Sequence, residues 1–308
     1  MLTLIRGSAM IKRFITAFRK ASPHVRGESP WARVWRRFIR HRLAMAGLLF
    51  FGVLVILALL APYVGRYPPN RIDLRNAFSP PTWEHWLGTD GVGRDVWSRV
   101  VYGGRVSIAV GFSAVSISVF IAIFLGSVSA YFGGWADLLI MRAIDIVMSI
   151  PPLVLIMALI AIVGPSLRNT ILTIGFLGWP GMARLIRGQI LALREQEFIM
   201  AARALGIPTP RVILRHLLPN AVAPLIVAGT LQMASAMLME AALSFLGIGV
   251  PPPTPSWGNM LQEAQTITVL ESYPWFWVPP GIAIISCVLS INFIGDGLRD
   301  ALDPRLTV

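Results

Sequence analysis

Residues 169–183 read NTILTIGFLGWPGMA, and whether this stretch crosses a bilayer sets the side of everything that follows it. It is apolar, but Gly175, Gly178, Pro180 and Gly181 interrupt it, so hydropathy alone leaves it open. Five other apolar stretches are clear: Leu43–Val64, Val106–Phe132, Leu138–Val163, Asn220–Met239 and Trp275–Gly295. Each approaches the roughly 20 residues that a helix needs to span ~30 Å of hydrocarbon. Lys and Arg, which accumulate on the cytoplasmic side of membrane proteins, arbitrate the sixth. If the stretch is a span and the N-terminus is inside, about 20 of the 27 Lys and Arg fall inside and about 7 outside. Without it the division becomes about 12 and 15, and the asymmetry is lost. The segment 244–274 contains neither Lys nor Arg, as an external loop should. The expectation is an all-α polytopic membrane protein with six transmembrane helices and both termini cytoplasmic.

Composition agrees. Of 308 residues, 55% are hydrophobic and 14% charged, against about 25% charged in soluble domains. One membrane domain is expected over residues 43–308, preceded by a basic cytoplasmic tail over 1–42. The first long apolar run begins only at Leu43 and is too long for a signal peptide. A single cysteine, Cys287, excludes an intramolecular disulfide framework. His24, His41, His85 and His216 lack metal-ligand spacing, so no metal site is expected. Much of the net charge of +12 sits in the tail just before a span. That placement fits orientation and attraction to anionic lipid, and it leaves no call for nucleic acid.

Within the tail, SPWARVWRRFIRHR (Ser29–Arg42) sets Trp31, Trp35 and Phe38 on one side of a helix and Arg33, Arg36, Arg37 and Arg40 around the rest. This is the pattern of a short helix lying in the membrane interface. The external segment WLGTDGVGRDVWSRVVYGGRVS (Trp86–Ser107) is rich in glycine but lacks the order and the lysine of a phosphate loop. Asp95 is expected to open a short helix there and to pair with Arg99 one turn on. The proline-rich GIGVPPPTPSWGNML (Gly247–Leu261) reads equally as a stiff loop at the outer mouth or as a solvent-exposed linker.

Charges within spans are few and sit near their ends: Arg142 with Asp145 at i,i+3, Glu240, and Asp296. Structural pairing accounts for them as well as substrate contact does. No row of acids faces a common path, which weighs against the alternative of an ion- or proton-driven secondary transporter. The chain has no HExxH, GxSxG or P-loop, and its only lysines are Lys12 and Lys20. No catalysis is expected here, so uphill transport would need an energy source in another subunit.

The polar island EFIMAARALGIPTPRVILRHLLPN (Glu197–Asn220) separates two apolar stretches. Glu195–Leu205 runs without a breaker and Gly206 ends it. Thr209 is expected as an N-cap with Pro210 at the first helical position of a second helix reaching Leu218. Pro219 marks the return to the membrane. Over about 195–219 the two short helices would make a rigid cytoplasmic knob.

Ala201-Ala202, Gly206 and Leu218-Pro219 resemble the EAA loop of ABC-importer permeases, consensus E-A-A-x3-G-x9-I-x-L-P, with Met200 in place of the Glu and His216 in place of the Ile. LGTDGVGRDVWSR (Leu87–Arg99), YFGGWAD (Tyr131–Asp137), EAALSFLGIG (Glu240–Gly249), PPPTPSWGNML (Pro251–Leu261) and GDGLRDALDPRL (Gly295–Leu306) are similar, in order, to the dipeptide/oligopeptide/nickel branch of that superfamily. The resemblance implies the type I ABC importer permease fold in a bacterial cytoplasmic membrane. It implies pairing with a second homologous permease, two ABC ATPase subunits that bind the ATP and Mg, and an extracytoplasmic solute-binding protein. The solute would be a dipeptide or oligopeptide, with nickel chelates and glutathione-like solutes open. Coupling to the ATPases would fall on Ala201, Ala202, Gly206, Leu218 and Pro219. Charge and exposure add Arg203, Arg211 and Arg215.

Overall fold

A computed structural model describes residues 30–303. Of the tail expected over residues 1–42, residues 1–29 and the side chains of Pro30 and Trp31 lie outside what is described, as does the chain after Asp303. Among the described residues the fold is helical, with one isolated bridge, Thr89 to Asp95, and no strand. Helix α1 is Pro30–Arg40, α2 is Arg42–Leu59, α3 is Val96–Phe132, α4 is Gly134–Met148 and α5 is Pro152–Val163. Then come α6 (Leu167–Leu177), α7 (Trp179–Arg194), α8 (Glu197–Ala204), α9 (Thr209–Val212), α10 (Leu218–Phe245), α11 (Trp257–Glu263) and α12 (Pro274–Leu302). Four helical stretches are long and apolar enough to cross a membrane: α2, α3, Thr209–Phe245 and α12.

The organising element is α3, 37 residues with no internal proline. It packs on α6, α7 and α10 and is about 55 Å long at 1.5 Å per residue. Asp95 caps its first turn, accepting from Ser98 N at 2.8 Å. The short helix expected at Asp95 is therefore the start of a 37-residue one. Close approach comes from small residues. A Cβ on Gly126 would stand 2.7 Å from the Ala183 carbonyl oxygen, and one on Gly111 would stand 2.5 Å from Met237 Cγ. Gly133 and Gly134, with φ of 63° and 50°, turn the chain out of α3 into α4.

The span expected at Leu138–Val163 is not straight. α4 and α5 meet at 90° across Ser149–Pro151. Pro151-Pro152 supplies the cause, because proline bars helical geometry in the residue before it and lacks an amide donor. Counted as one broken crossing, the pair makes a fifth span. Residues 169–183 also divide, between α6 and α7, with Gly178 at the joint. Two carbonyls there accept from other helices: Gly175 O from Ser118 Oγ and Gly178 O from Gln232 Nε2, each at 2.8 Å.

On the side of the chain termini, α2 lies along α12, where a Cβ on Gly47 would stand 2.7 Å from Ser290 O. α1 also docks there. Phe38 is 3% exposed against Ala44 and Ala301, while Trp35 stays open to the outside and stacks on Phe38 at 5.9 Å. Phe38 thus belongs to the protein core, which differs from the headgroup depth expected of it. Arg37 ties α1 down further by donating to Asp303 O at 3.2 Å.

The packing predicts opposite outcomes for two glycines. Gly126→Leu should destabilise the detergent-purified protein by about 1–3 kcal/mol through overpacking. Gly188, on α7 with nothing within 4 Å of a built Cβ, should gain about 0.5–1 kcal/mol as Gly188→Ala. Thermal unfolding of both variants checks the contrast.

Candidate functional site

The knob is built from residues 197–219. α8 ends in a Schellman motif: Gly206 N donates to Arg203 O at 2.9 Å and Ile207 N to Ala202 O at 3.2 Å. Gly206 sits at φ 72°, as its place after the helix requires. The second helix begins as expected near Thr209, but its cap position falls on Pro208 and the Thr209 side chain caps nothing. Nor is it separate from the membrane. α9 passes through a π-helical turn, Ile213–Leu217, directly into α10. Pro219 explains the widening, since it lacks the amide that would bond Arg215 O and its ring crowds that carbonyl.

Burial divides the residues of the expected coupling loop by face. Ile199, Val212 and Leu217 point inward and join a cluster with Ala130, Ile186 and Ile190, and Ala202 is buried as well. Ala201, Arg203, Gly206, Arg211, Arg215 and Pro219 are exposed, and Leu218 is half-buried. Arg211 and Arg215 make no ion pair among the described residues. Beside them Phe198, Met200, Leu205 and Leu214 stand open, Leu205 at 81%.

The knob is fastened to the end of α3 through Tyr131, which the sequence showed only as part of a motif. Tyr131 and Thr209 share a hydrogen bond at 3.1 Å, and the Arg203 guanidinium lies 5.0 Å from the centre of the Tyr131 ring. Arg187 of α7 grips Asp137 in the first turn of α4 through two 2.6 Å bonds, and Ser129 Oγ also donates to that carboxylate. Arg194 donates to Ala130 O at 3.3 Å. YFGGWAD was legible as a motif, but its partners lie 50 and 78 residues away.

A second constellation closes the other end of α3. Arg99 turns away from Asp95, the partner expected for it, and donates to Glu263 Oε1 at 3.0 Å. Arg94 bridges Glu263 and Asp90 at 2.6 Å each, so both arginines bind one carboxylate on α11. Burial pushes the Glu263 carboxyl above its ordinary value against the pull of Arg99 and Arg94. Trp257 Nε1 donates to Val100 O at 2.8 Å, pinning the proline-rich loop to α3. Glu240 is fully buried and accepts from Ser107 Oγ at 2.9 Å and Ser244 Oγ at 2.8 Å, a structural role. Asp145 accepts from Arg184 at 2.9 Å with Arg142 at 3.9 Å, and Asp296 is exposed on α12. A cavity of about 400 Å³ lies between these ends, beside the Gly178 joint, with Gln232 and Ser235 in a largely apolar wall.

Several known proteins are similar to this chain. Residues 118–308 match the family described as binding-protein-dependent transport system inner membrane component, and residues 29–81 match the N-terminal TM domain of oligopeptide transport permease C. A Brucella suis protein described as a candidate peptide permease is 48% identical over 90% of this chain and 91% of its own length. The dipeptide transport system permease protein of Alkalihalophilus pseudofirmus is 42% identical over the same shares. The glutathione transport system permease protein of Escherichia coli is 40% identical, again over 90% and 91%. A chain of an inward-facing methionine ABC transporter shares the fold at TM-score 0.54 and 21% identity, covering 67% of this chain and 97% of its own. The chain belongs to this family of membrane permease subunits of binding-protein-dependent ABC importers.

The outer constellation predicts a large effect at one carboxylate. Glu263→Ala removes the carboxylate that hydrogen-bonds the Arg99 guanidinium, which is 1% exposed and keeps Asp90 at 3.7 Å, and should cost about 3 kcal/mol, the low end for breaking a buried pair. Glu263→Gln keeps an acceptor and should cost less. Thermal unfolding decides it, and an unchanged midpoint for Glu263→Ala would contradict the assignment.

Proposed function

We propose that this member of the binding-protein-dependent permease family is one of two non-identical permeases of a dipeptide or oligopeptide importer in a bacterial cytoplasmic membrane, with both termini cytoplasmic. A second homologous permease completes the pathway, and an extracytoplasmic binding protein delivers solute to the mouth beside the Pro251–Leu261 loop. Two ABC ATPases carry the ATP and Mg and dock on the knob, while this chain itself catalyses nothing. The peptide solute is inferred from the named transport of the relatives: dipeptide in one, glutathione, itself a small peptide, in another. The tail over residues 1–42, with its basic helix α1, rests at the inner interface against lipid.

One observation carries the docking assignment. The knob is tied to the bundle on its inner face, yet presents Phe198, Met200, Leu205 and Leu214 on the outside among Arg203, Arg211 and Arg215. Apolar anchors ringed by cations fit a protein groove with an acidic rim. Met200, where the family pattern has a Glu, shifts the contact toward shape and the arginines. Closing of the ATPases on ATP would press on Ala201, Ala202, Gly206, Leu218 and Pro219 and rock the membrane helices between inward- and outward-open forms.

Two experiments test this reading. Gly206→Pro abolishes the φ of 72° and the amide bond of the Schellman turn, so membrane insertion should survive while peptide uptake falls at least tenfold. Normal uptake with both permeases present would sink the coupling assignment. Uptake by the unaltered importer should stop on ATP depletion and resist an uncoupler; the reverse pattern would favour an ion-driven carrier.

A further inference from the structure

The knob of an importer must move something, and the helices flanking it, α7 and α10, are the obvious recipients. The contacts single out a third. Thr209, at the start of α9, bonds the Tyr131 hydroxyl at 3.1 Å, and the Arg203 guanidinium covers the same ring at 5.0 Å. Tyr131 is the penultimate residue of α3, a helix that adjoins the knob nowhere in sequence. At its far end α3 is joined to the outer loop through Arg99–Glu263 and Trp257–Val100. One uninterrupted rod therefore touches the knob at its foot and the outer mouth at its head.

We infer that Tyr131 is a positioning residue that carries displacement of the knob into α3, through its hydroxyl bond to Thr209 and the stacked Arg203. The rod then conveys that displacement to the loop pinned by Trp257 and Glu263. Two features make Tyr131 suited to this. It is half-buried, so the bond is partly shielded from water, and the neighbouring Asp137–Arg187 pair ties α4 to α7, with Ser129 of α3 donating to the same carboxylate, without touching α8 or α9. Thr209 is released for the role because Pro208, not Thr209, takes the cap position of α9. The inference rests on the coupling role proposed above for the knob.

The test uses the whole importer, both permeases with the ATPases and the binding protein, reconstituted in liposomes with a labelled dipeptide. The reading is solute moved per ATP hydrolysed, which simple loss of folded protein does not change. Thr209→Val is nearly isosteric and removes only the hydroxyl, and Tyr131→Phe removes the other half of the bond. Each should lower the ratio about two- to tenfold, the range one hydrogen bond allows, with the ATPases still bound. The double variant should be no worse than either single one, and Thr209→Ser should restore the ratio. An unchanged ratio in both single variants, or losses that multiply in the double one, would overturn the inference. If the unaltered importer shows no ATP-dependent uptake, the coupling reading itself fails, and that outcome is separate from a change in the ratio.

Discussion

Gln232 of α10 donates to the carbonyl of Gly178, and Ser118 of α3 to that of Gly175, each at 2.8 Å. These two bonds answer the constraint on which the bundle depends. Inside hydrocarbon an unpaired backbone group costs several kcal/mol, so a helix can break there only where a neighbour supplies a partner. The break between α6 and α7 is thus tied in register to α3 and α10. The cavity of about 400 Å³ opens beside this joint. Around it the chain keeps small residues where helices touch, Gly126 against Ala183 being one case. Packing, rather than hydrophobic drive between helices, holds such a bundle together.

Much of this was legible in the sequence because it depends on local rules. The long apolar runs mark helices, and Gly206 marks the end of α8. What was not legible depends on partners far along the chain. Asp95 and Arg99 satisfy the i,i+4 spacing, yet Arg99 pairs with Glu263, 164 residues away, because both become buried together. Thr209 has the chemistry of a cap, but its hydroxyl meets Tyr131 instead. Pro219 signals an interruption without saying that it would be absorbed by a π turn inside one continuous helix. Phe38 has the spacing of an interfacial anchor but finds a closer fit against Ala44 and Ala301.

The coupling residues show the same division. Family resemblance located Ala201, Ala202, Gly206, Leu218 and Pro219, and the structure separates buried Ala202 from its exposed neighbours. It also adds the fastening beneath them, Tyr131, Asp137 and Arg187, which no spacing rule connects to the knob. A surface that is rigid on one side and bare on the other is suited to receive force from a partner.

The central claim, that the knob receives an ATPase, can be read at one atom. Cys287 is the only cysteine and is buried, so Leu205→Cys places a single reactive thiol at the most exposed apolar position of the knob. With a short thiol-to-amine cross-linker in membranes containing the whole importer, the account predicts a covalent adduct with an ATPase subunit whose yield changes on adding ATP. A thiol that reacts freely with a water-soluble maleimide from the cytoplasmic side, and forms no adduct with the ATPase, would contradict it.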